Sequence, residues 1–173
     1  MTATVLTTLG QGTLNFNNRV TIDGINAPVD HDGTPLTGDA YSGQLFVMNP
    51  GSSSYEAVGA IQGFQTNPAL AGYINGGEVA VSFIAPGSSA DVILRAWANA
   101  SGSDWAAASS NPAGIFGESD VVTVASLGGG GAPPGPAANL IGLTSFSITQ
   151  VPQPSTVALG LLGLAALALR RRK

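Results

Sequence analysis

The sequence predicts an all-β fold, an antiparallel β-sandwich or jelly-roll-like domain, followed by a single C-terminal transmembrane helix. Three observations support this fold class. Apolar and polar residues alternate with a period of two over most of residues 12–127, which is the pattern of strands that bury one face. Gly- and Pro-rich turn sequences separate the alternating segments. Residues 157–169 form a long apolar run without charge, which suits a membrane helix.

Seven or eight strands are predicted along the chain. The first two begin at Thr13 and Arg19 and alternate regularly. The sequence Ala-Pro-Gly-Ser-Ser-Ala separates the fifth strand from the sixth, as expected for a hairpin turn. Helical turns are predicted at residues 67–73 and 104–109. The predicted strands cover residues 13–18, 19–25, 41–48, 55–60, 78–84, 91–98, 120–127 and 143–149. This spacing is typical of a sandwich or jelly roll.

Residues 128–139 are a low-complexity segment, rich in Gly in its first half and in Pro in its second. Such a segment either ends the domain or forms a long loop before a last strand. The alternation of residues 143–149, with Phe146 and Ile148 on one face, favours a last strand that returns to the sheet. We therefore assign residues 12–149 to one domain, which is long enough to bury a core.

The C-terminal residues 151–173 divide into a Pro-containing hinge, an apolar run and a basic end. Because Pro152 blocks helix upstream and Pro154 is tolerated in a first turn, a helix is predicted over about residues 155–169. From Pro154 to Leu169 it measures about 24 Å at ~1.5 Å per residue. This is a short span for a hydrocarbon core of ~30 Å. The cations of residues 170–173 complete it by snorkelling and place the C-terminus on the cytoplasmic side.

This order of hinge, apolar helix and basic tail resembles the PEP-CTERM sorting signal. The resemblance implies an exported protein of a Gram-negative bacterium and a membrane-embedded cysteine protease, exosortase, as partner. The family's usual Glu is Gln153 here, which keeps the length but lacks the charge. The signal covers residues 150–173. The implied sorting motif is Val151, Pro152, Gln153, Pro154, Ser155 and Thr156, and the basic tail is Arg170, Arg171, Arg172 and Lys173. The preceding residues also resemble small secreted β-domains found in PEP-CTERM proteins.

Charge is distributed unevenly along the chain. All ten carboxylates precede residue 151, where Arg19 and Arg95 are the only cations. Binding of nucleic acid or of anionic lipid by this part is therefore not expected, since both need clustered cations. The chain has no cysteine, which excludes disulfides, thiolate metal sites and cysteine nucleophiles.

The N-terminal residues 1–11 do not have the pattern of an export signal. They contain no basic residue and no apolar run of sufficient length. Since a C-terminal sorting signal requires export, we interpret them as a remnant or as the result of a truncated start. The genomic sequence immediately upstream tests this interpretation.

A few polar residues are candidates for a catalytic or metal site. The single histidine, His31, lies in a sequence of turn formers and has no nucleophile motif beside it. Asp30 and Asp32, with Asp39, are calcium candidates, although the spacing of a calcium loop is incomplete. Glu118 and Asp120 would share one face of a strand, as a carboxylate pair or as a polar edge. No cofactor is expected.

Aromatic residues provide a candidate platform for sugar rings. Strand alternation places Trp97 beside Arg95 on the more polar face of its strand, which predicts partial exposure. Trp105 lies in a loop or short helix and is the better exposed candidate. Core packing or an Arg95–Trp97 cation–π stack is the competing interpretation. The remaining members are Tyr41, Tyr55 and Tyr73.

These observations favour a non-enzymatic exported protein of the cell surface or the exopolysaccharide matrix. Its expected partners are an exosortase-like protease, membrane lipid before processing and exopolysaccharide, but not nucleic acid. Three alternatives stay open: a carbohydrate-binding module, a hydrolase, and a plain tail-anchored envelope protein that keeps its basic tail.

Overall fold

Twelve β-strands and one short α-helix make up residues 11–150, the part of the chain that the computed structural model describes. The predicted all-β class is confirmed. The helix is α1 (Trp105–Ser110), and two 3-10 turns cover Thr21–Asp23 and Pro68–Leu70. The strands are β1 (Gly12–Asn17), β2 (Arg19–Val20), β3 (Ile25–Asn26), β4 (Val29–His31), β5 (Thr34–Pro35), β6 (Gly38–Asn49), β7 (Ser54–Phe64), β8 (Asn75–Val81), β9 (Ala90–Ala98), β10 (Ile115–Glu118), β11 (Val122–Val124) and β12 (Phe146–Gln150).

The predictions for residues 1–10 and 151–173, including the membrane helix, lie outside the described residues. Within residues 11–150, no helix is both long enough and apolar enough to cross a membrane.

The larger sheet has the strand order β5-β4-β12-β10-β9-β6-β7, and β11 pairs with β9. Its longest pairings are antiparallel, with Leu45 of β6 opposite Leu94 of β9. The prediction of antiparallel pairing is wrong for one pair of strands, because β12 runs parallel to β4, with Ile148 opposite His31. These two strands come from opposite ends of the domain sequence, so no hairpin forces them to be antiparallel.

Two further sheets have two strands each: β2 pairs with β3, and β1 pairs with β8 in antiparallel register, with Leu14 opposite Val79. We call the β1–β8 pair the smaller sheet. Leu14, Phe16, Val79 and Val81 belong to the same buried cluster as residues of the larger sheet. The alternation read from the sequence therefore points these side chains into a core that both sheets share.

One predicted strand, residues 19–25, is wrong in its extent. The chain forms only the two-residue strands β2 and β3 there, with a 3-10 turn between them. Gly24 ends this turn in the left-handed conformation at φ 73°, which glycine adopts without steric cost. Ile22 consequently points to solvent and is 92% exposed.

Both ends of the Gly- and Pro-rich segment, residues 128–139, are hydrogen-bonded to β1 of the smaller sheet. Thr13 N–H donates to the carbonyl of Gly128 (3.0 Å), and Asn15 N–H donates to that of Ala138 (2.8 Å). A side chain at Gly128 would meet the Pro136 carbonyl at 2.0 Å, so only glycine allows this approach. The segment forms a loop before β12, which returns to the sheet between β10 and β4.

Strand β9 is buried on both faces. Val92, Leu94 and Ala96 point into the shared core, while Ile93 and Trp97 are buried on the opposite face. Helix α1 packs on this opposite side, contacting β9 and β10. Asp104 caps the helix by accepting from the Ala107 N–H at 2.9 Å, which satisfies one of its free N-terminal donors.

The burial of β12 predicts a matched pair of stability effects. Ile148 is fully buried and Ile22 is 92% exposed. We expect Ile148→Ala to lower the free energy of unfolding by about 2–5 kcal/mol, because it leaves a cavity in the core. Ile22→Ala should change it by less than about 0.5 kcal/mol. Urea unfolding of both variants measures the difference, and equal losses would contradict the position of β12.

Candidate functional site

The outer face of the larger sheet carries an aromatic cluster, which comprises Phe46, Trp97, Trp105 and Phe116. Trp105, from α1, lies at its centre. The centroid of its ring is 5.4 Å from that of Phe116 and 6.4 Å from those of Phe46 and Trp97. All three contacts are steeply tilted, the geometry in which ring edges meet ring faces favourably.

Arg95 packs against this cluster from β9. Its guanidinium carbon lies 4.4 Å from the ring centroid of Phe46 and 4.7 Å from that of Trp105. Its Nε donates to a carboxylate oxygen of Glu118 at 2.9 Å. The side chain of Arg95 is only 17% exposed, so the ion pair and the ring faces together compensate for the partial desolvation of the cation.

The predicted exposure of Trp97 is wrong. Trp97 is completely buried, and its Nε1 has no hydrogen-bond partner among the described residues. The predicted Arg95–Trp97 stack is replaced by stacking on Phe46 and Trp105. Strand alternation assigned Trp97 to a polar face, but it could not show that Trp105 and Phe116 cover that face.

The predicted aromatic residues do not form one platform for a sugar. Trp105 is half-buried within the aromatic cluster, and Tyr55 lies near Arg95, with 6.0 Å between ring centroid and guanidinium carbon. Tyr41 lies beside His31 instead, and Tyr73 beside Arg19. The participation of Phe46 and Phe116 was missed. The available signal was that the register of Arg95 also carries the apolar residues Ile93 and Trp97, which indicates a strand covered on two sides.

The sequence around His31 forms a tight hairpin turn. Asp32 and Gly33, at φ 51° and 76°, connect β4 to β5, which are paired through His31 and Thr34. Positive φ at both central residues is typical of a type I′ turn, for which Asp-Gly is a preferred sequence. Asp30 Oδ1 accepts from the Gly33 N–H at 3.1 Å and from the Ser147 hydroxyl at 2.8 Å, so it ties the turn to β12.

The calcium candidates do not form a metal site in the structure. The Asp30 carboxylate accepts hydrogen bonds from the turn and from β12. Asp39 lies on a different strand, β6. Over residues 11–150, no three His, Asp or Glu side chains are grouped so that they could hold a metal ion.

The candidates for acid–base chemistry are engaged separately. His31 Nε2 lies 3.6 Å from Asp32 Oδ2, and no hydroxyl within residues 11–150 donates to the imidazole. Glu118 bonds Arg95, while Asp120 follows the end of β10 and is exposed. Ser119 between them is buried, and its hydroxyl accepts from the Leu94 N–H at 3.0 Å. The arrangement secures the end of β10 rather than forming a carboxylate pair across a cleft.

The last strand ends where the predicted sorting motif begins. Gln150 is the final residue of β12 and lies opposite Ile115, the first residue of β10. The motif residues Val151, Pro152, Gln153, Pro154, Ser155 and Thr156 and the tail Arg170, Arg171, Arg172 and Lys173 lie outside the described residues. No folded linker separates the motif from the sheet.

The charges around Arg95 act on Tyr55. Burial, followed by the carboxylates of Asp91 and Glu118, raises the pKa of Tyr55, and Arg95 opposes this effect. The folded state therefore favours the neutral phenol. Its contribution to stability is present below the unfolded pKa of about 10 and is lost as the pH rises above it.

Removal of one of these charges tests the electrostatics. In protein whose Tyr41 and Tyr73 are replaced by Phe, we expect Asp91→Asn to lower the pKa of Tyr55, because one repulsive carboxylate disappears. Asp120→Asn, which removes an exposed carboxylate elsewhere, should leave that pKa unchanged. Tyrosinate absorbance during alkaline titration measures both. A shift of equal size in the two variants would rule out a local effect of Asp91.

Comparison with known proteins assigns the C-terminal residues. Residues 150–173 match the family described as the PEP-CTERM protein-sorting motif. No curated protein and no solved structure matches the chain. The match begins at Gln150, the residue at which β12 ends. The chain therefore carries a PEP-CTERM protein-sorting motif behind a β-rich domain, which indicates an exported protein that an exosortase processes.

Proposed function

We propose that this chain is a non-enzymatic protein that a membrane-embedded exosortase releases to the cell surface or the exopolysaccharide matrix. The observation that carries the proposal is the sorting-motif match at residues 150–173, directly behind the last strand of the β-domain. In this role the β-domain is the part of the chain that is exported, and residues 151–173 are its sorting signal.

Each zone of the C-terminal segment has a physical role in this proposal. Residues 151–156 are the stretch that the protease recognises. Residues 157–169 contain no charge, and we expect a helix over about 155–169 to hold the substrate in membrane lipid until it is cut. The four cations of the tail fix the orientation, because they remain on the cytoplasmic side.

The contacts of the polar residues support a non-enzymatic role. Arg95 and Glu118 are used in an ion pair that covers the aromatic cluster. Asp30 stabilises a hairpin turn, and His31 lies beside the carboxylate of Asp32 and the ring of Tyr41. Each of these groups serves the packing of the fold. The proposed exopolysaccharide association rests on the sorting class and requires no glycan pocket in the domain.

Processing predicts a defined mature chain. In its native host, the mature protein should end within or near residues 151–156, so that the apolar run and the basic tail are absent. Intact-mass spectrometry of the protein from the envelope and the medium measures this. Mature protein that still contains Arg170, Arg171, Arg172 and Lys173 would show a permanent tail anchor and would contradict processing.

Because Gln153 stands where the family usually has Glu, we expect that restoring the carboxylate increases processing. We expect Gln153→Glu to increase the fraction of processed protein at a fixed time, because it supplies the charge that the family's motif usually carries. Gln150→Glu makes the same chemical change at the exposed end of β12 and serves as the matched control. Immunoblotting of precursor and product compares them. An equal increase in both variants would indicate a general charge effect rather than recognition at residue 153.

A further inference from the structure

Arg19 is a cation without a carboxylate partner within the described residues. All ten side-chain carboxylates of the chain belong to residues 11–150, and none lies within ion-pair distance of this guanidinium. Arg95, the other arginine of the domain, is bound by Glu118. The side chain of Arg19 makes one long hydrogen bond, from Nη1 to the Ala69 carbonyl at 3.4 Å. Most of its five N–H donors are therefore available to an anionic ligand.

The ring of Tyr73 holds the Arg19 guanidinium in place. The guanidinium carbon lies 5.0 Å from the ring centroid, a distance at which the ring face attracts a cation. The pairing of β2 with β3 places Asn26 opposite Arg19, and Asn26 Oδ1 accepts a hydrogen bond from the Tyr73 hydroxyl. The ring is thus tied to the strand pair that carries Arg19, so cation and ring keep a fixed relative position.

Asn18, the residue before Arg19, joins the two chain segments that form this region. Its side chain is fully buried. Nδ2 donates to the carbonyls of Ala27 at 2.7 Å and Gly72 at 3.0 Å. Oδ1 accepts from the Ile74 N–H at 2.7 Å. The region is therefore already ordered in the folded domain, which lowers the entropic cost of binding a ligand.

A pocket lined by polar side chains lies beside the Arg19 guanidinium. Three side-chain amides line it together with the cation, those of Asn17, Gln65 and Asn75. Each amide has N–H donors and a carbonyl acceptor, and this is the combination that hydroxyl groups of a ligand require. The pocket therefore offers one positive charge and several groups that bind hydroxyls.

The size and the apolar part of the pocket restrict its ligand further. Leu70 and Ile74 also line it, so a ligand needs an apolar C–H surface beside its polar groups. Drug-sized molecules occupy pockets of ~300–1,000 Å³, whereas the volume here is about 170 Å³. The space suits one small hydroxylated ring.

The charge of the domain narrows the class of anion. A guanidinium binds a carboxylate through two parallel hydrogen bonds. Ten carboxylates opposed by two arginines repel doubly charged groups such as phosphate more strongly than a single carboxylate. We propose that the pocket binds one carboxylated sugar residue, a uronate, with its carboxylate on Arg19 and its hydroxyls on Asn17, Gln65 and Asn75. This activity goes beyond the sorting function proposed above, because it gives the domain a direct contact with acidic polysaccharide.

A comparison of ligands tests the proposed class. The isotopically labelled full-length chain, kept in a sugar-free detergent, is titrated with sodium glucuronate at constant ionic strength. The backbone N–H signals of residues 73–75 report binding, because these residues line the pocket. We expect glucuronate to bind about tenfold more tightly than glucose, which lacks the carboxylate, or acetate, which lacks the ring. Equal affinity for acetate, or tighter binding of inorganic phosphate, would reveal an anion site only and would overturn the proposal.

Substitutions at Arg19 test the position of the site. Arg19→Gln removes the guanidinium and should weaken glucuronate binding about tenfold. Ser53→Asp changes the net charge by the same amount in the exposed β6–β7 turn, at the opposite end of β7 from Gln65. This matched control should leave the affinity within about twofold, because salt screens a distant charge. If Arg19→Gln does not fold, Arg19→Lys, which keeps the charge but loses the bidentate fork, should weaken binding about threefold or more.

The possible outcomes separate this inference from the sorting function. Unchanged affinity in Arg19→Gln, or an equal loss in Arg19→Gln and Ser53→Asp, overturns the site. Glucuronate that fails to bind the wild-type chain, or that binds no better than glucose, overturns it as well. Because the titration involves no protease, these results leave the proposed sorting function unaffected. Absence of processing in the host would likewise contradict sorting without affecting the binding site.

Discussion

The structure depends on the burial of β9 on both of its faces. One face supplies Val92, Leu94 and Ala96 to the core that the two sheets share. The other buries Ile93 and supplies Trp97 to the aromatic cluster. A strand that carries large apolar residues in both registers must be covered on both faces. The shared core on one face of β9 and the packing of α1 on its other face thus both follow from the residues of this strand.

The ion pair of Arg95 and Glu118 follows from the same constraint. A cation between the buried side chains of Ile93 and Trp97 would cost free energy if it were left without a partner. Register places Glu118 directly opposite Arg95 on β10, and the rings of Phe46 and Trp105 lie against the guanidinium. Arg95 therefore bonds the carboxylate of Glu118 on β10 and packs its guanidinium against the rings of Phe46 and Trp105. These contacts cover part of the outer face of the larger sheet. The charged and aromatic residues of this region therefore contact one another on the outer face of the larger sheet.

Local periodicity predicts which residues form strands, but it does not predict which strands pair or which distant residues cover them. The alternation around Leu14 and Phe16, and that around Phe146 and Ile148, correctly identifies strands with one buried face. No local sequence pattern predicts the parallel pairing of β12 with β4, because this pairing depends on how all the strands are arranged in the sheet. The exposure of Trp97 was mispredicted for a related reason, since its cover comes from residues that are distant in sequence. The sorting motif, by contrast, was readable because its order of prolines, apolar run and cations is a local pattern.

The placement of β12 also has a consequence for the order of events during export. The side-chain hydrogen bond from Ser147 to Asp30 joins residues 117 positions apart, and the backbone pairing of β12 with β4 has a comparable separation. Such distant pairings form late, because the intervening chain must first be closed into a loop. Residues 146–150 must therefore be available before β4 and β10 can be joined into one sheet. The residues that complete the large sheet are thus the ones that directly precede the sorting motif.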